Sequence, residues 1–90
     1  MNASLPIGTI VLLKEGTHKV MITGYYAKME ENKIFDYIGV MWPEGTVSFD
    51  KTLLFNHADI VQIINQAYTD DEQKNFMVQL SELAKQSQAQ

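Results

Sequence analysis

The sequence predicts a small, mainly β (α+β) domain, an SH3-like, partly open antiparallel barrel of about five strands with a C-terminal amphipathic helix. Three observations support it. The chain has 90 residues, 46% of them hydrophobic, which suits a single compact core. Short β-branched and aromatic runs alternate with glycine and proline turns. The last part of the chain has apolar residues at helical spacing instead. We assign one domain, 1–90, with a barrel over 5–68, a helix over 69–86 and a frayed tail over 87–90.

The first two strands are predicted to form a hairpin. Residues 8–14 are β-branched and aliphatic, residues 19–26 are rich in Val, Ile and Tyr, and Gly16 lies in the short connection between them. Gly24 interrupts the second run, which indicates a bulge or a bend of the kind that small barrels have at their corners.

The next elements are a loop, a strand and a turn. The polar residues 28–33 are predicted to form an exposed loop, followed by a third strand over Ile34–Met41. Trp42–Gly45 has the proline and glycine of a tight turn. A fourth strand is weaker; we centre it on Val47–Phe49 and allow it to reach Phe55.

Two interpretations stay open for residues 60–68. Asn56–Asp59 before them predicts one helical turn, because an Asn side chain accepts backbone N–H groups two or three residues on. The β-branched content of 60–68 favours a strand, while the spacing of Ile60, Ile63 and Ala67 also fits a helix. We favour the turn followed by a fifth strand.

The C-terminal helix has the clearest signals. Thr69 and Glu72 form a Thr-x-x-Glu capping box, and acidic residues in the first turn suit the positive end of the helix dipole. One apolar stripe follows, made of Phe76, Met77, Leu80, Leu83 and Ala84.

Both faces of the predicted strands are apolar. In the third strand, Tyr37 and Met41 alternate with Ile38 and Val40. A small barrel buries only its interior, so the outer face needs the helix, a second protein chain, or both as a cover. Aromatic residues dominate protein interfaces. The candidate partner-binding residues are Tyr25, Tyr37, Trp42, Phe76 and Leu80.

Composition argues against several function classes. The net charge is −4 and every basic residue is a lysine, so nucleic acid and anionic membranes are poor partners. No apolar run approaches the roughly 20 residues of a membrane span, and the first residues do not read as a signal peptide. There is no cysteine, which suits a cytoplasmic location.

Reactive residues are few. Ser48, His57 and Asp59 are the only conceivable triad, and no nucleophile elbow accompanies them. His18 and Asp36 could join His57 and Asp59 at a metal, but without diagnostic spacing. We expect no enzyme activity, no metal and no cofactor.

Several blocks of the sequence resemble one small bacterial family, domain of unknown function 4176. These blocks are Leu5–Lys14, Val20–Tyr25, Phe35–Val40, Pro43–Gly45 and Leu54–Ile60. The resemblance covers about residues 5–80. Members of that family are encoded near type VII secretion genes and their toxins in Gram-positive bacteria. The resemblance implies an accessory or adaptor protein, and it brings no catalytic residues.

Three functions remain as hypotheses. The first is a non-enzymatic, cytoplasmic adaptor or chaperone-like protein that binds a type VII secretion substrate or component. The second is a self-associating structural module whose extra apolar face is buried in a homodimer. A small hydrolase that uses His57 is the least favoured.

Overall fold

The computed structural model describes residues 3–14, 16–30, 33–48 and 51–88, which form an antiparallel sheet of five strands and one helix. The elements are β1 (Ile10–Leu13), β2 (Lys19–Glu30), β3 (Lys33–Met41), β4 (Leu53–Phe55), β5 (Ile60–Asn65) and α1 (Asp71–Gln88). The predicted mainly β domain of five strands with a C-terminal helix is confirmed.

The sheet is open and does not close into a barrel; the sequence predicted a partly open one. Its strand order is β4-β3-β2-β1-β5, which places β4 and β5 at opposite edges. Closure would need these two strands to pair, and no such pairing occurs among the described residues. The edge strand β4 has only three residues and so offers few backbone groups for such a pairing.

The β2–β3 hairpin is longer than the sequence predicted. Lys28 is paired with Ile34 and Glu30 with Lys33, so most of the predicted 28–33 loop is strand. Residues 31 and 32 lie outside the described part. These polar residues form strand rather than loop because antiparallel strands satisfy each other's backbone N–H and carbonyl groups. The predicted irregularity at Gly24 is confirmed by a register shift between Ile22 and Gly24.

The fourth strand lies later than its predicted centre. Val47 is 68% exposed and outside any strand, and Phe49 is outside the described residues. The strand is Leu53–Phe55, where Phe55 is 3% exposed and belongs to the core. A single valine between polar neighbours has no apolar face to bury, whereas Leu53–Phe55 does.

The open question over residues 60–68 is settled in favour of the turn and strand. A 3-10 turn over His57–Asp59 precedes β5. The turn is closed by Asp59 N–H donating to the Asn56 carbonyl at 2.9 Å, and Asn56 N–H donates to the Asp59 carboxylate at 2.9 Å. The β-branched content of 60–65 therefore outweighs its helical spacing.

The helix begins one residue later than the predicted cap requires. Gln73 N–H donates to the Asp70 carboxylate at 2.8 Å, so Asp70 is the N-cap and not Thr69. The helix runs to Gln88, through residues assigned to the frayed tail; residues 89 and 90 lie outside the described part. The side chain of Ala84, a member of the predicted apolar stripe, also lies outside the described part.

The main core covers one face of the sheet and also includes residues that precede β1. Its buried members are Ala3, Leu5, Val11, Val20, Ile22, Tyr37 and Phe55. From the helix, Met77 packs against this cluster. Ile10 and Val40 are also buried, but they lie outside this cluster. Ile10 and Val11 are neighbours in β1, so their side chains point to opposite faces of the sheet. Both faces of the sheet thus bury apolar residues, as the alternation predicted.

Candidate functional site

Three of the five predicted partner-binding residues lie where the helix meets the sheet. The rings of Tyr25 and Phe76 have centroids 6.2 Å apart at a tilt of 42°. Phe76 is 47% exposed, and Leu80, one turn along α1, is half-buried. We call Tyr25, Phe76 and Leu80 the helix-junction surface. Phe76 leaves a large apolar area in water beside a half-buried tyrosine, which is the kind of feature that protein interfaces use.

Burial separates Tyr25 from ordinary surface tyrosines. Burial, followed by the neighbouring Tyr37, raises the pKa of Tyr25 above its usual value. Burial is also the main reason that the pKa of Tyr26 is raised. The Tyr25 hydroxyl donates to the Leu5 carbonyl at 2.6 Å, which ties Tyr25 to the segment before β1.

Tyr37 is not on the exposed surface of the protein, which differs from the expectation drawn from the sequence. Its side chain has no exposed area. The ring lies between those of Tyr25 and Phe55, at centroid distances of 6.1 and 5.5 Å. These three residues are cross-strand neighbours in β2, β3 and β4. The enclosed ring holds the strands together, and the hydroxyl accepts the N–H groups of Ser4 and Leu5, so another chain reaches Tyr37 only where these two residues leave.

Trp42 is exposed, but it lies elsewhere. It is 44% exposed and follows the end of β3, where its N–H donates to the Lys19 carbonyl at 2.9 Å. Five residues of chain separate it from Tyr37, about 17 Å for extended backbone. His18 and Glu44 pair nearby at 3.2 Å, in an exposed contact between two connections of the sheet. Trp42 is thus not continuous with the helix-junction surface.

A second exposed apolar surface, not singled out from the sequence, lies on the edge strand β5. Val61, Ile63 and Ile64 are 59%, 46% and 41% exposed. We call these three residues the β5 surface. Beside it is a shallow depression of about 280 Å³, lined by His57, Ile60, Val61, Gln62 and Ile63. The available signal was the absence of charge from Ile60 to Thr69 together with the apolar residues of this segment.

The residues weighed for catalysis have structural partners. The Tyr37 hydroxyl lies 2.8 Å from Nδ1 of His57, the atom that the acid of a catalytic triad would hold. The Asp59 carboxylate accepts a bond within its own turn. Asp36, 4% exposed, accepts the His57 N–H at 2.9 Å. This cluster joins the 3-10 turn to β3.

Two further properties concern metals and membranes. Over residues 3–14, 16–30, 33–48 and 51–88, no group of three or more His, Asp or Glu side chains is placed to hold a metal ion. In the same described part of the chain, no helix is long and apolar enough to cross a membrane.

Comparison with known proteins gives one result. The curated proteins and the solved structures gave no match. The family described as "Domain of unknown function (DUF4176)" matches residues 4–76, which extend from the segment before β1 to the first part of α1 and include every strand. The matched region also contains Tyr25, the core tyrosine Tyr37 and the capping turn. The chain belongs to the DUF4176 family.

Proposed function

We propose that the protein is a non-enzymatic, accessory or chaperone-like adaptor that docks on another protein through exposed apolar side chains. The observation that carries the proposal is the helix-junction surface, where Phe76 stays 47% exposed although it sits against Tyr25. Burying a large apolar side chain contributes about 1.5–3 kcal/mol. A partner that covers this surface therefore gains affinity from side chains that this chain's own fold leaves in water.

The partner class follows from the family resemblance rather than from the coordinates. Members of the family are encoded near type VII secretion genes and their toxins, so we propose a secreted toxin or a secretion component as the partner. Binding before export places the protein in the cytoplasm. The cluster around His57 supports a non-enzymatic role, since its hydrogen bonds join elements of the fold.

Co-purification with a named partner tests the proposal. The chain is co-expressed with a candidate type VII secretion toxin, and a stoichiometric complex is expected. Phe76→Glu should weaken that complex at least tenfold, because it places a charge in the apolar contact. Val78→Glu is the matched control: Val78 is 63% exposed on the same helix and points about 160° away from Phe76.

Two outcomes would count against this function. One is a protein that stays alone when it is co-expressed with the toxins and secretion components encoded near it. The other is equal weakening of the complex by Phe76→Glu and Val78→Glu, which would mean that the helix-junction surface has no special part in binding.

A homodimer is a second candidate function, and the β5 surface favours it. The chain carries a net charge of −4, but its segment from Ile60 to Thr69 has no charged residue. Two copies that meet there avoid like-charge repulsion. Edge strands usually carry protective charges or proline, and β5 has neither. Register shifts along β5 limit backbone pairing, so side chains would form this contact.

Sedimentation over a range of concentrations tests the homodimer. A dimer that Ile64→Lys dissociates would support it. Val47→Lys is the control, because Val47 is 68% exposed and lies outside the β5 surface. A chain that sediments as a monomer at all concentrations would rule this candidate out.

A further inference from the structure

The segment before β1 is bound to the sheet as a peptide would be bound. We call residues 3–7 the docked segment; none of them belongs to a strand. Ser4 and Leu5 donate their N–H groups to the Tyr37 hydroxyl at 2.9 and 3.3 Å. The Leu5 carbonyl accepts the Tyr25 hydroxyl at 2.6 Å. Two tyrosine side chains thus bond the main chain of Ser4 and Leu5, a contact that depends on backbone groups and not on side-chain identity.

Side-chain burial in the docked segment defines a sequence pattern. Ala3 and Leu5 are 8% and 6% exposed, whereas Ser4 is exposed and Ile7 is 55% exposed. Pro6 is buried. Proline has no backbone N–H group, so burial at this position leaves no donor without a partner. The buried positions therefore follow the pattern of a small residue, then any residue, then leucine and proline, and the chain bends at the leucine.

The docked segment connects to the sheet at a distinct junction. Gly8 has a φ of +95°, a conformation that favours glycine. From that point the chain bonds to β2: Gly8 N–H donates to the Ile22 carbonyl at 2.8 Å, and Ile22 N–H donates to the Thr9 carbonyl at 2.9 Å. The tyrosine contacts and the strand contacts thus involve different residues of β2 and β3, and the Thr9 N–H, which donates to the Pro6 carbonyl at 3.2 Å, links the two sets.

We propose that the groove formed by Tyr25 and Tyr37 binds a segment of a partner protein with the small-x-Leu-Pro pattern, bent at the leucine as the docked segment is, in place of the docked segment. This inference rests on the proposed adaptor function and names what the partner presents. Tyr25 makes the two sites continuous, since it binds the docked segment through its hydroxyl and contacts Phe76 through its ring. A partner on the helix-junction surface thus has a peptide groove beside it.

The docked segment competes with any partner segment for the groove, so a partner must displace it. A tethered segment acts at an effective concentration on the order of millimolar, so a short free peptide displaces it poorly. A partner that also covers Phe76 adds apolar contact and overcomes this advantage. The docked segment then acts as an internal competitor that excludes ligands offering the peptide alone.

The test uses the full chain and a fluorescein-labelled peptide, Ala-Ser-Leu-Pro-Ile, the sequence of residues 3–7. Leu5→Asp weakens the internal competitor because it would bury a charge. We expect this variant to bind the peptide saturably and at least tenfold more tightly than the unaltered chain. A peptide with Asp in place of Leu should not bind. Adding Tyr25→Phe to Leu5→Asp should weaken binding about five- to tenfold, the effect of one lost hydrogen bond.

Three results would overturn the inference. A Leu5→Asp variant that is folded by circular dichroism but binds no peptide removes the groove as a site. If that variant is unfolded, Leu5→Ala takes its place, and absence of binding there has the same meaning. Dimerisation of either variant at concentrations where the unaltered chain sediments as a monomer would show that the groove accepts a second copy of this chain instead.

The peptide assay tests the groove and the co-purification tests the adaptor function, so either can fail while the other succeeds. Peptide binding without a toxin complex would keep the groove and reject the proposed partner class. A toxin complex that depends on Phe76, with no peptide binding by either Leu5 variant, would keep the adaptor function and reject the groove.

Discussion

The Tyr37 hydroxyl lies 2.8 Å from Nδ1 of His57, at a fully buried point where three parts of the chain meet. The same oxygen accepts N–H groups from Ser4 and Leu5. Because this oxygen accepts two hydrogen bonds, the hydroxyl hydrogen is left to donate to His57. Nδ1 of His57 is therefore the acceptor, and the neutral ring has its proton on Nε2. One side chain of β3 thus fixes both the 3-10 turn and the docked segment.

Tyr37→Phe should lower the free energy of unfolding by about 1–3 kcal/mol, because it keeps the ring but leaves buried polar groups unpaired. Urea denaturation measures the change. Tyr68→Phe is the control, since Tyr68 is 79% exposed and its hydroxyl bonds only at the surface, to Asp70 at 3.2 Å. It should change stability by less than about 0.5 kcal/mol. Equal effects of the two substitutions would show that the buried hydroxyl has no special structural role.

Gly39 marks the closest packing in the sheet. A Cβ built there would lie 2.8 Å from Val20 Cγ1 and 2.9 Å from Phe55 Cε1, both in the core. Gly39→Ala should therefore destabilise the protein by about 1–3 kcal/mol, the range for overpacked cores. Thermal unfolding compares it with Gly45→Ala, which meets nothing within 4 Å and has only the strain of a φ of +74°. A larger loss for Gly45→Ala would contradict the packing account.

The pattern of residues predicted four strands in place and misplaced the fourth. Apolar and β-branched runs indicated β1, β2, β3 and β5, although β5 is mostly exposed. The fourth strand was centred on Val47–Phe49 instead of Leu53–Phe55, because three residues are too few to show an alternating pattern. The docked segment was missed for a related reason: its partners are tyrosine hydroxyls, and no local spacing encodes contacts between Leu5 and Tyr37.

The candidate site was predictable in part. Phe76 lies on the predicted stripe, and the structure places it against Tyr25, half in water. Tyr37 and Tyr25 both lie in apolar strand sequences, so the sequence does not distinguish them. Tyr37 is enclosed because it lies opposite Phe55 of β4. Only cross-strand register distinguishes the two tyrosines, and register is a property of the assembled sheet.

The N-cap of α1 gives a local test of the corrected helix start. Asp70→Ala removes the carboxylate that accepts the Gln73 N–H, and should destabilise the helix by about 0.5–2 kcal/mol. Helical circular dichroism during urea denaturation follows the loss. Thr69→Ala should have a much smaller effect, because the structure assigns the cap to Asp70. The opposite ranking would restore the Thr-x-x-Glu capping box predicted from the sequence.

Alkaline pH should unfold the protein through Tyr25. Burial raises the pKa of Tyr25, so the unfolded chain releases this proton first as the pH rises above the ordinary value of 10.0. The stabilisation is complete below that pH and is lost as the pH rises toward the raised value of the folded state. Absorbance at the tyrosinate band and urea denaturation at several pH values measure ionisation and stability together. Tyr25→Phe should make the alkaline loss of stability shallower, whereas Tyr68→Phe, at an exposed side chain, should leave it unchanged. Identical alkaline profiles for the two variants would show that the buried Tyr25 hydroxyl does not drive the transition.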